Sequence, residues 1–210
     1  MDASPRSTGV RCNAAVQRSW GTRRPVNAGL LALSTLKGDV RRSLLGAWMQ
    51  SGGRTAAFFT AEADSLVDFL AQQLPDPSPE LALCRVEQVT LRAAYRARAF
   101  EAPDPALLNA QCVVQRACHA GVVLFPSGSE LILSRLLPFE PQPVSASELT
   151  PVLVAPGMQP LCRVASPLEH EIWTRLFRPA AVHSLVRIGG SLDVVGTVGI
   201  LLRIGALEYA

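Results

Sequence analysis

The first half of the chain carries apolar residues at helical spacing. Within residues 27–50, leucines lie at positions 30, 31, 33, 36, 44 and 45, which predicts one or two short helices interrupted near Lys37-Gly38-Asp39. A second helical stretch is predicted over residues 55–74, and a third follows the proline-rich break as residues 80–98. These segments predict a helical region over residues 27–103.

After Pro103 the pattern changes to that of β-strands. Residues 111–118 and 121–125 are rich in valine, and residues 130–137 alternate between apolar and polar positions. The turn-forming residues Pro126-Ser127-Gly128-Ser129 separate the last two segments. The pattern therefore predicts a hairpin or a small antiparallel sheet within residues 104–165.

Residues 166–210 predict three short helices in a helix-turn-helix arrangement. Ser166-Pro167-Leu168-Glu169 has the spacing of a capping box with proline at the first helical position. Gly189-Gly190 provides a turn, and Ser191 is the predicted cap of the third helix. The order of helices, small sheet and helices predicts an α+β fold.

Composition and charge narrow the function classes. With 49% hydrophobic residues and a net charge of +3, the chain can bury a sizeable core. The positive excess lies in residues 1–26, which we interpret as a disordered arm or an error in the assigned start, with a targeting sequence as a weaker alternative. Uncharged runs are shorter than the roughly 20 apolar residues of a membrane span, so we expect a cytoplasmic protein with no membrane partner.

The helix-turn-helix pattern suggests a transcriptional regulator as one alternative. In residues 166–210, however, four arginines are balanced by four acidic residues. Binding to DNA phosphates needs a clear basic excess, so we expect no nucleic-acid partner.

Few residues in the chain have the spacing of a catalytic or metal site. Phosphate-binding glycine loops are absent, and the three histidines are scattered with no metal-ligand spacing. Five cysteines without a CxxC pair indicate reduced thiols. Cys118 and His119 are the one thiol–imidazole pair, but neighbouring residues of a strand point to opposite faces and cannot share a proton directly. We therefore predict no catalytic residue and no metal site.

Arg85 and Glu87 form an Arg-x-Glu pair in the third predicted helix. Because residues two apart do not face each other on a helix, each must find a partner elsewhere. Two alternatives stay open at this point, solvent exposure or ion pairing with another helix.

Four segments in order carry a resemblance to a known family. They are residues 81–93 (LALCRVEQVTLRA), 119–127 (HAGVVLFPS), 151–157 (PVLVAPG) and 202–208 (LRIGALE). In this order they resemble the MbnC proteins of methanobactin biosynthesis, and the resemblance covers about residues 64–210. Related partner proteins of other peptide-modifying iron enzymes share an Arg-x-Glu in a similar helix, here Arg85 and Glu87.

The resemblance implies a division of labour between two proteins. MbnC-type proteins form a heterodimer with MbnB, a barrel enzyme with a multinuclear iron site. The pair binds a ribosomal precursor peptide by its leader and uses O2 to oxidise core cysteines to oxazolone and thioamide groups. The iron would then belong to the partner, and this chain would hold no cofactor.

A physical route to leader binding is strand addition. An unpaired edge of the small sheet can accept an extended peptide through main-chain hydrogen bonds, unless loops of the same chain cover that edge. Two further residues, Arg85 and Glu87, are expected at a structural or partner interface. The residues expected beside the peptide are Arg116, His119, Phe125 and Ser127.

Overall fold

The computed structural model describes residues 30–52, 59–104, 107–136, 149–186 and 193–210. These residues contain eight helices and six strands. In chain order they are α1 (Leu30–Thr35), α2 (Gly38–Gln50), α3 (Phe59–Gln73), α4 (Pro79–Ala97), β1 (Val113–Arg116), β2 (Gly121–Phe125), α5 (Glu130–Leu136), β3 (Thr150–Val154), β4 (Cys162–Val164), α6 (Pro167–Arg175), β5 (Ala180–Ala181), α7 (Val182–Leu185), α8 (Val194–Arg203) and β6 (Leu207–Tyr209). The predicted α+β class is confirmed.

The predicted helices of the first half are present. The break between α1 and α2 falls at Leu36 and Lys37, as the Lys37-Gly38-Asp39 signal predicts. The long helix α4 begins after Ser78, whose Oγ accepts a hydrogen bond from the Leu81 amide at 3.2 Å. Tyr95, in the last turn of this helix, is largely exposed.

The strands form two antiparallel sheets of three strands each, with the orders β5-β1-β6 and β2-β3-β4. The prediction of a single hairpin or small sheet is therefore wrong in its pairing, because β1 and β2 belong to different sheets. The chain leaves the first sheet after Arg116 through a turn that is closed by a hydrogen bond from the Ala120 amide to the Ala117 carbonyl, at 3.2 Å.

Most of the strand predicted over residues 130–137 is a helix instead, because residues Glu130–Leu136 form α5, and Leu137 lies outside the described residues. The preceding turn explains the difference. Ser129 donates its hydroxyl to the Pro126 carbonyl at 2.6 Å, and its own carbonyl accepts from the Leu133 amide at 2.8 Å, which opens a helical turn. Leucine, glutamate and arginine are also good helix formers. The segment is too short for its apparent alternation to distinguish a strand from a helix.

The capping box at Ser166 is confirmed, with Ser166 Oγ accepting from the Glu169 amide and Glu169 Oε2 accepting from the Ser166 amide. Ser191 lies outside the described residues. The third predicted helix instead begins at Val194, and Asp193 caps it by accepting from the Gly196 amide at 2.7 Å. Phe177 and Val186, two large apolar residues of this region, are exposed.

Strands β5 and β6 flank the last two helices and pair with β1 on its two sides. The predicted regions 104–165 and 166–210 therefore share one sheet. Strand β3 joins the two halves of the molecule, because Val152 and Val154 lie in the core formed with α1–α4, whereas Leu153 lies in the core formed with α6–α8. The sheet β2-β3-β4 thus lies between two hydrophobic cores.

Candidate peptide-binding site

The edges of the two sheets decide where an extended peptide can be added. Strand β1 is central in its sheet, so both of its sides are occupied by the chain's own strands β5 and β6. The part of the predicted peptide edge that lies on β1 is therefore covered. Strand β2 is at the edge of the other sheet, with β3 on one side only.

Hydrogen bonds of β3 show which groups of β2 point outwards. The Pro151 carbonyl accepts from Ala165 in the direction of β4, so Leu153 also directs its main-chain groups to β4. The alternate residues of β3 face β2, where they pair with Gly121, Val123 and Phe125. The N–H and C=O groups of Val122 and Leu124 consequently point away from the sheet.

We call these groups of Val122 and Leu124 the outer edge of β2. No hydrogen bond joins this edge to any other backbone segment in the parts of the chain that the structure describes. The Leu124 side chain is 39% exposed, and Val122 is half-buried. This edge therefore offers two donors, two acceptors and an apolar contact to an extended peptide.

Two of the four predicted peptide-binding residues lie at the ends of β2. His119 is in the turn that precedes the strand, and Ser127 is exposed in the turn that follows it. Phe125 is fully buried in the core with α4, so its side chain supports the sheet from behind and is not available at the surface.

Arg116, the fourth predicted residue, binds its own chain. Its Nε donates to the Trp173 carbonyl at 2.8 Å and Nη2 to the Thr174 carbonyl at 3.1 Å, while the guanidinium lies 5.1 Å from the centre of the Trp173 ring. These carbonyls are at the C-terminal end of α6, where helical carbonyls lack intrahelical partners. Burial lowers the pKa of Arg116 from its ordinary value. Arg116 thus fixes the end of α6.

His119 lines a cleft of about 190 Å³ beside the turn. The far wall comes from the end of α4 and the segment after it, with Arg96 and Phe100, and the floor comes from β6, with Leu207 and Glu208. Burial and the nearby positive charge of Arg96 lower the pKa of His119, against the opposing effect of Glu208. The imidazole is therefore neutral at pH 7.

Cys118 and His119 are in contact, and the prediction that they lie on opposite faces of a strand is wrong. The Cys118 Sγ lies 3.6 Å from His119 Nδ1, and Cys118 is exposed. The strand ends at Arg116, so both residues belong to the turn, where the alternation of side chains no longer applies.

Arg85 and Glu87 have different partners. Arg85 forms an exposed ion pair with Asp76 at 2.9 Å. Glu87 accepts hydrogen bonds from the amides of Leu31 and Ala32, at 2.8 and 2.9 Å, and so caps the start of α1 from another helix. Burial raises the pKa of Glu87, partly offset by these two hydrogen bonds.

Sequence reasoning missed the residues that complete the cleft. Arg96 and Glu208 are separated by more than a hundred positions and come together only because the C-terminal strand joins β1. Nothing in the local pattern around either residue indicates this. Tyr209, which also lines the cleft, buries its hydroxyl with no hydrogen-bond partner among the residues that the structure describes.

The described residues contain neither a membrane-spanning helix nor a cluster of metal ligands. No helix there is long and apolar enough to cross a membrane. No group of three or more histidine, cysteine or acidic side chains is placed to hold a metal ion in the same ranges. Neither the protein-family models nor the curated proteins include a match to the sequence.

Proposed function

We propose that this chain is the non-catalytic subunit of a heterodimeric, iron-dependent oxidase of the methanobactin type. In this proposal it binds the leader of a ribosomal precursor peptide and presents core cysteines to an MbnB-type barrel enzyme, which holds the iron and carries out their conversion to oxazolone and thioamide groups. The ordered sequence segments that resemble MbnC proteins suggest the family. The outer edge of β2 is the observation that carries the peptide-binding role.

The geometry of this edge supports binding of an extended segment. The main-chain groups of Val122 and Leu124 are spaced as in a paired strand. The other side of β2 is paired with β3 through five register pairs, which fixes the strand in place. A rigid edge adds little ordering cost on the protein side. Side-chain selectivity would come from Leu124 and from the residues at the two ends, His119 and Ser127.

Binding the leader here would raise the rate of a reaction that takes place elsewhere. A peptide held by one segment presents its remaining length at an effective concentration in the millimolar range when the connecting stretch is short and flexible. The oxidase partner would then receive the core cysteines without having to recognise their sequence.

A pair of substitutions at Leu124 tests the edge directly. Leu124→Ala shortens the side chain but keeps the outward N–H, whereas Leu124→Pro also removes that N–H, at an edge position where proline is tolerated. With a synthetic leader peptide of a methanobactin-type precursor as the probe, calorimetric titration should give at least about tenfold weaker binding for Leu124→Pro than for Leu124→Ala. Equal affinities would reject the outer edge of β2 as the site.

The partner is tested by co-expression. We expect an MbnB-type barrel enzyme to co-purify with this chain in a one-to-one complex, and iron-dependent modification of the precursor to require both proteins. A chain that stays separate from the enzyme and ignores the leader peptide, but binds duplex DNA at near-physiological salt, would favour the transcriptional regulator instead.

A further inference from the structure

Cys118 differs in its surroundings from the other cysteines that the structure describes. Cys84 is fully buried, and burial raises its pKa to about 12. Cys162 is also buried, with its pKa raised for the same reason. Cys112 is half-buried, and its Sγ donates to the Leu107 carbonyl at 3.2 Å. Of these four thiols, Cys118 alone is exposed and next to a base.

The turn places that base at hydrogen-bonding distance. Sγ of Cys118 and Nδ1 of His119 are 3.6 Å apart, within the range of a hydrogen bond to sulfur. In the tautomer that carries its proton on Nε2, Nδ1 accepts the thiol proton. The anchoring of Arg116 to α6 holds the start of this turn, because it fixes the last residue of β1.

The cleft beside the pair offers space for a small ligand. It is about 190 Å³ in volume, and Phe100 and Leu207 provide apolar surface. The charged groups that line it with His119 are Arg96 from α4, Glu101 from the following segment and Glu208 from β6. A group bound in the cleft would lie against the imidazole of His119. Cys118 does not itself line the cleft, but its Sγ contacts that imidazole from outside it.

We propose that Cys118 is a nucleophilic thiol that undergoes exchange with a disulfide bound at the cleft, with His119 as the general base. As Sγ of Cys118 bonds to one sulfur of the disulfide, its proton passes to Nδ1 of His119. The sulfur–sulfur bond of the ligand breaks, and its electron pair leaves on the second sulfur, which takes the proton from the imidazolium and departs as a thiol. The product is a mixed disulfide at Cys118, and the disulfide is the only oxidant required.

The inference shares His119 with the proposed leader site, but it needs only the turn and the cleft and no pairing along the outer edge of β2. Oxidised glutathione is a suitable probe, since it is a small, soluble disulfide. Its reaction with the full chain at pH 7 can be followed by intact mass, and the modified residue located by peptide mapping. All measurements use Cys12→Ser as the background protein. This substitution removes the one cysteine that lies outside the described residues.

We expect the mixed disulfide to form first at Cys118 and to be absent in Cys118→Ser. The variant His119→Gln should react about fivefold or more slowly at pH 7, because it lacks the base. At pH 10, where hydroxide in solution can take the place of the general base, the two rates should converge. Cys112→Ser is the matched control and should leave the rate at Cys118 unchanged.

Two results would overturn the proposal. One is a rate for His119→Gln at pH 7 that equals the rate of the background protein. The other is that Cys118 in the folded background protein reacts no faster than the same cysteine in a synthetic peptide of residues 113–124. This peptide begins after Cys112, so Cys118 is its one cysteine. The second comparison uses no substitution near the turn, so it stays decisive even if His119→Gln fails to fold.

Discussion

Glu169 shows how much a single buried carboxylate can contribute. It accepts from Arg163 Nη1 at 2.8 Å, from Arg163 Nη2 at 2.6 Å and from the Ser166 amide at 2.8 Å, and it is almost fully buried. Burial alone would raise its pKa, but the hydrogen bonds and the positive charge of Arg163 outweigh this and lower the pKa of Glu169 below its ordinary value. The ionised form is therefore favoured by folding.

Because the pKa of Glu169 is lowered in the folded protein, the free energy of unfolding depends on pH in a defined direction. The contribution of Glu169 is complete above the unfolded-state pKa of about 4.3 and is lost as the pH falls through the lower pKa of the folded state. At pH 7 we expect Glu169→Gln to reduce the free energy of unfolding by about 2 kcal/mol, measured by urea denaturation. The difference from the parent protein should shrink below about pH 4.

The control for Glu169 is two residues away on the same helix. Glu171 forms an exposed i,i+4 ion pair with Arg175 at 3.0 Å. Its change to glutamine should alter the free energy of unfolding by less than about 0.5 kcal/mol. An equal loss for the two variants would contradict the role assigned to the buried carboxylate.

Arg116 and Arg178 form a second matched pair at this scale. Both guanidinium groups lie over an aromatic ring, at 5.1 Å from the centre of Trp173 and 5.6 Å from that of Phe177. Arg116 also donates to two carbonyls at the end of α6, while Arg178 and Phe177 are exposed.

We expect Arg116→Ala to lower the free energy of unfolding by about 2 kcal/mol, since two carbonyls lose their partner. Arg178→Ala should cost less than about 0.5 kcal/mol, as is usual for an exposed cation–π contact. Chemical denaturation of both variants measures the difference. A larger effect at Arg178 would show that ring contact matters more than the carbonyl bonds.

Residue roles could be predicted from the sequence only where the partners are close along the chain. The Ser166–Glu169 capping box spans four residues, and its spacing alone predicts both hydrogen bonds. The partners of Arg116 lie 57 and 58 positions away, and those of Glu87 lie 55 and 56 positions away. No local pattern encodes such pairings. The sequence could therefore select Arg116 and Glu87 as candidates, but it could not assign their partners.

Among the elements, α1 depends on a cap supplied by another helix. It has only six residues, and such a short helix is marginal on its own. The Glu87 carboxylate of α4 accepts from the amides of Leu31 and Ala32, and the side chains of Ala32 and Leu33 are buried against the same core. Glu87 therefore attaches α1 to the rest of the molecule.

We expect Glu87→Ala to detach α1 while leaving α4 folded. In hydrogen exchange, the amides of residues 31–36 should lose protection by about tenfold or more, and those in the middle of α4 should change little. Arg85→Ala is the control in the same helix, because it removes only an exposed ion pair with Asp76. Unchanged protection of α1 in Glu87→Ala would show that apolar packing alone holds it.

Long elements were more predictable than short ones. The 19-residue helix α4 differs from its predicted range by one residue at each end, because its period repeats over five turns. Helix α5 has seven residues, too few to distinguish a helical period from alternation, and its type was predicted wrongly. A serine directly before the helix, a residue type preferred at helix starts, was the signal available there.

For the whole molecule, the class was predictable but the strand pairing was not. The order of patterns predicts α+β, yet β1 pairs with strands that begin 67 and 94 positions after it. Each pairing is chosen by how well complete faces pack together, which a local window does not contain. The candidate site follows the same rule, since the edge that remains open on β2 is known only once the other edges are assigned.

The position of β3 between two cores leads to a prediction about cooperativity. Val152 and Val154 face the core that contains Trp48, whereas Leu153 faces the core that contains Trp173. If this shared strand couples the cores, the loss of contacts on one side must destabilise both. Leu153→Ala should therefore lower the free energy of unfolding by about 3 kcal/mol and shift the unfolding of both cores equally.

Two single-tryptophan versions of the protein can report on the cores separately. Both versions carry Trp20→Phe. One also carries Trp173→Phe and keeps Trp48 as the reporter of its core, and the other carries Trp48→Phe and keeps Trp173. In urea, Leu153→Ala should move the fluorescence midpoint of each version by the same free energy, while Leu131→Ala, at a position that is 65% exposed, should move neither. A shift confined to the Trp173 version would mean that the cores unfold independently, because β3 could then separate from one core while remaining packed against the other.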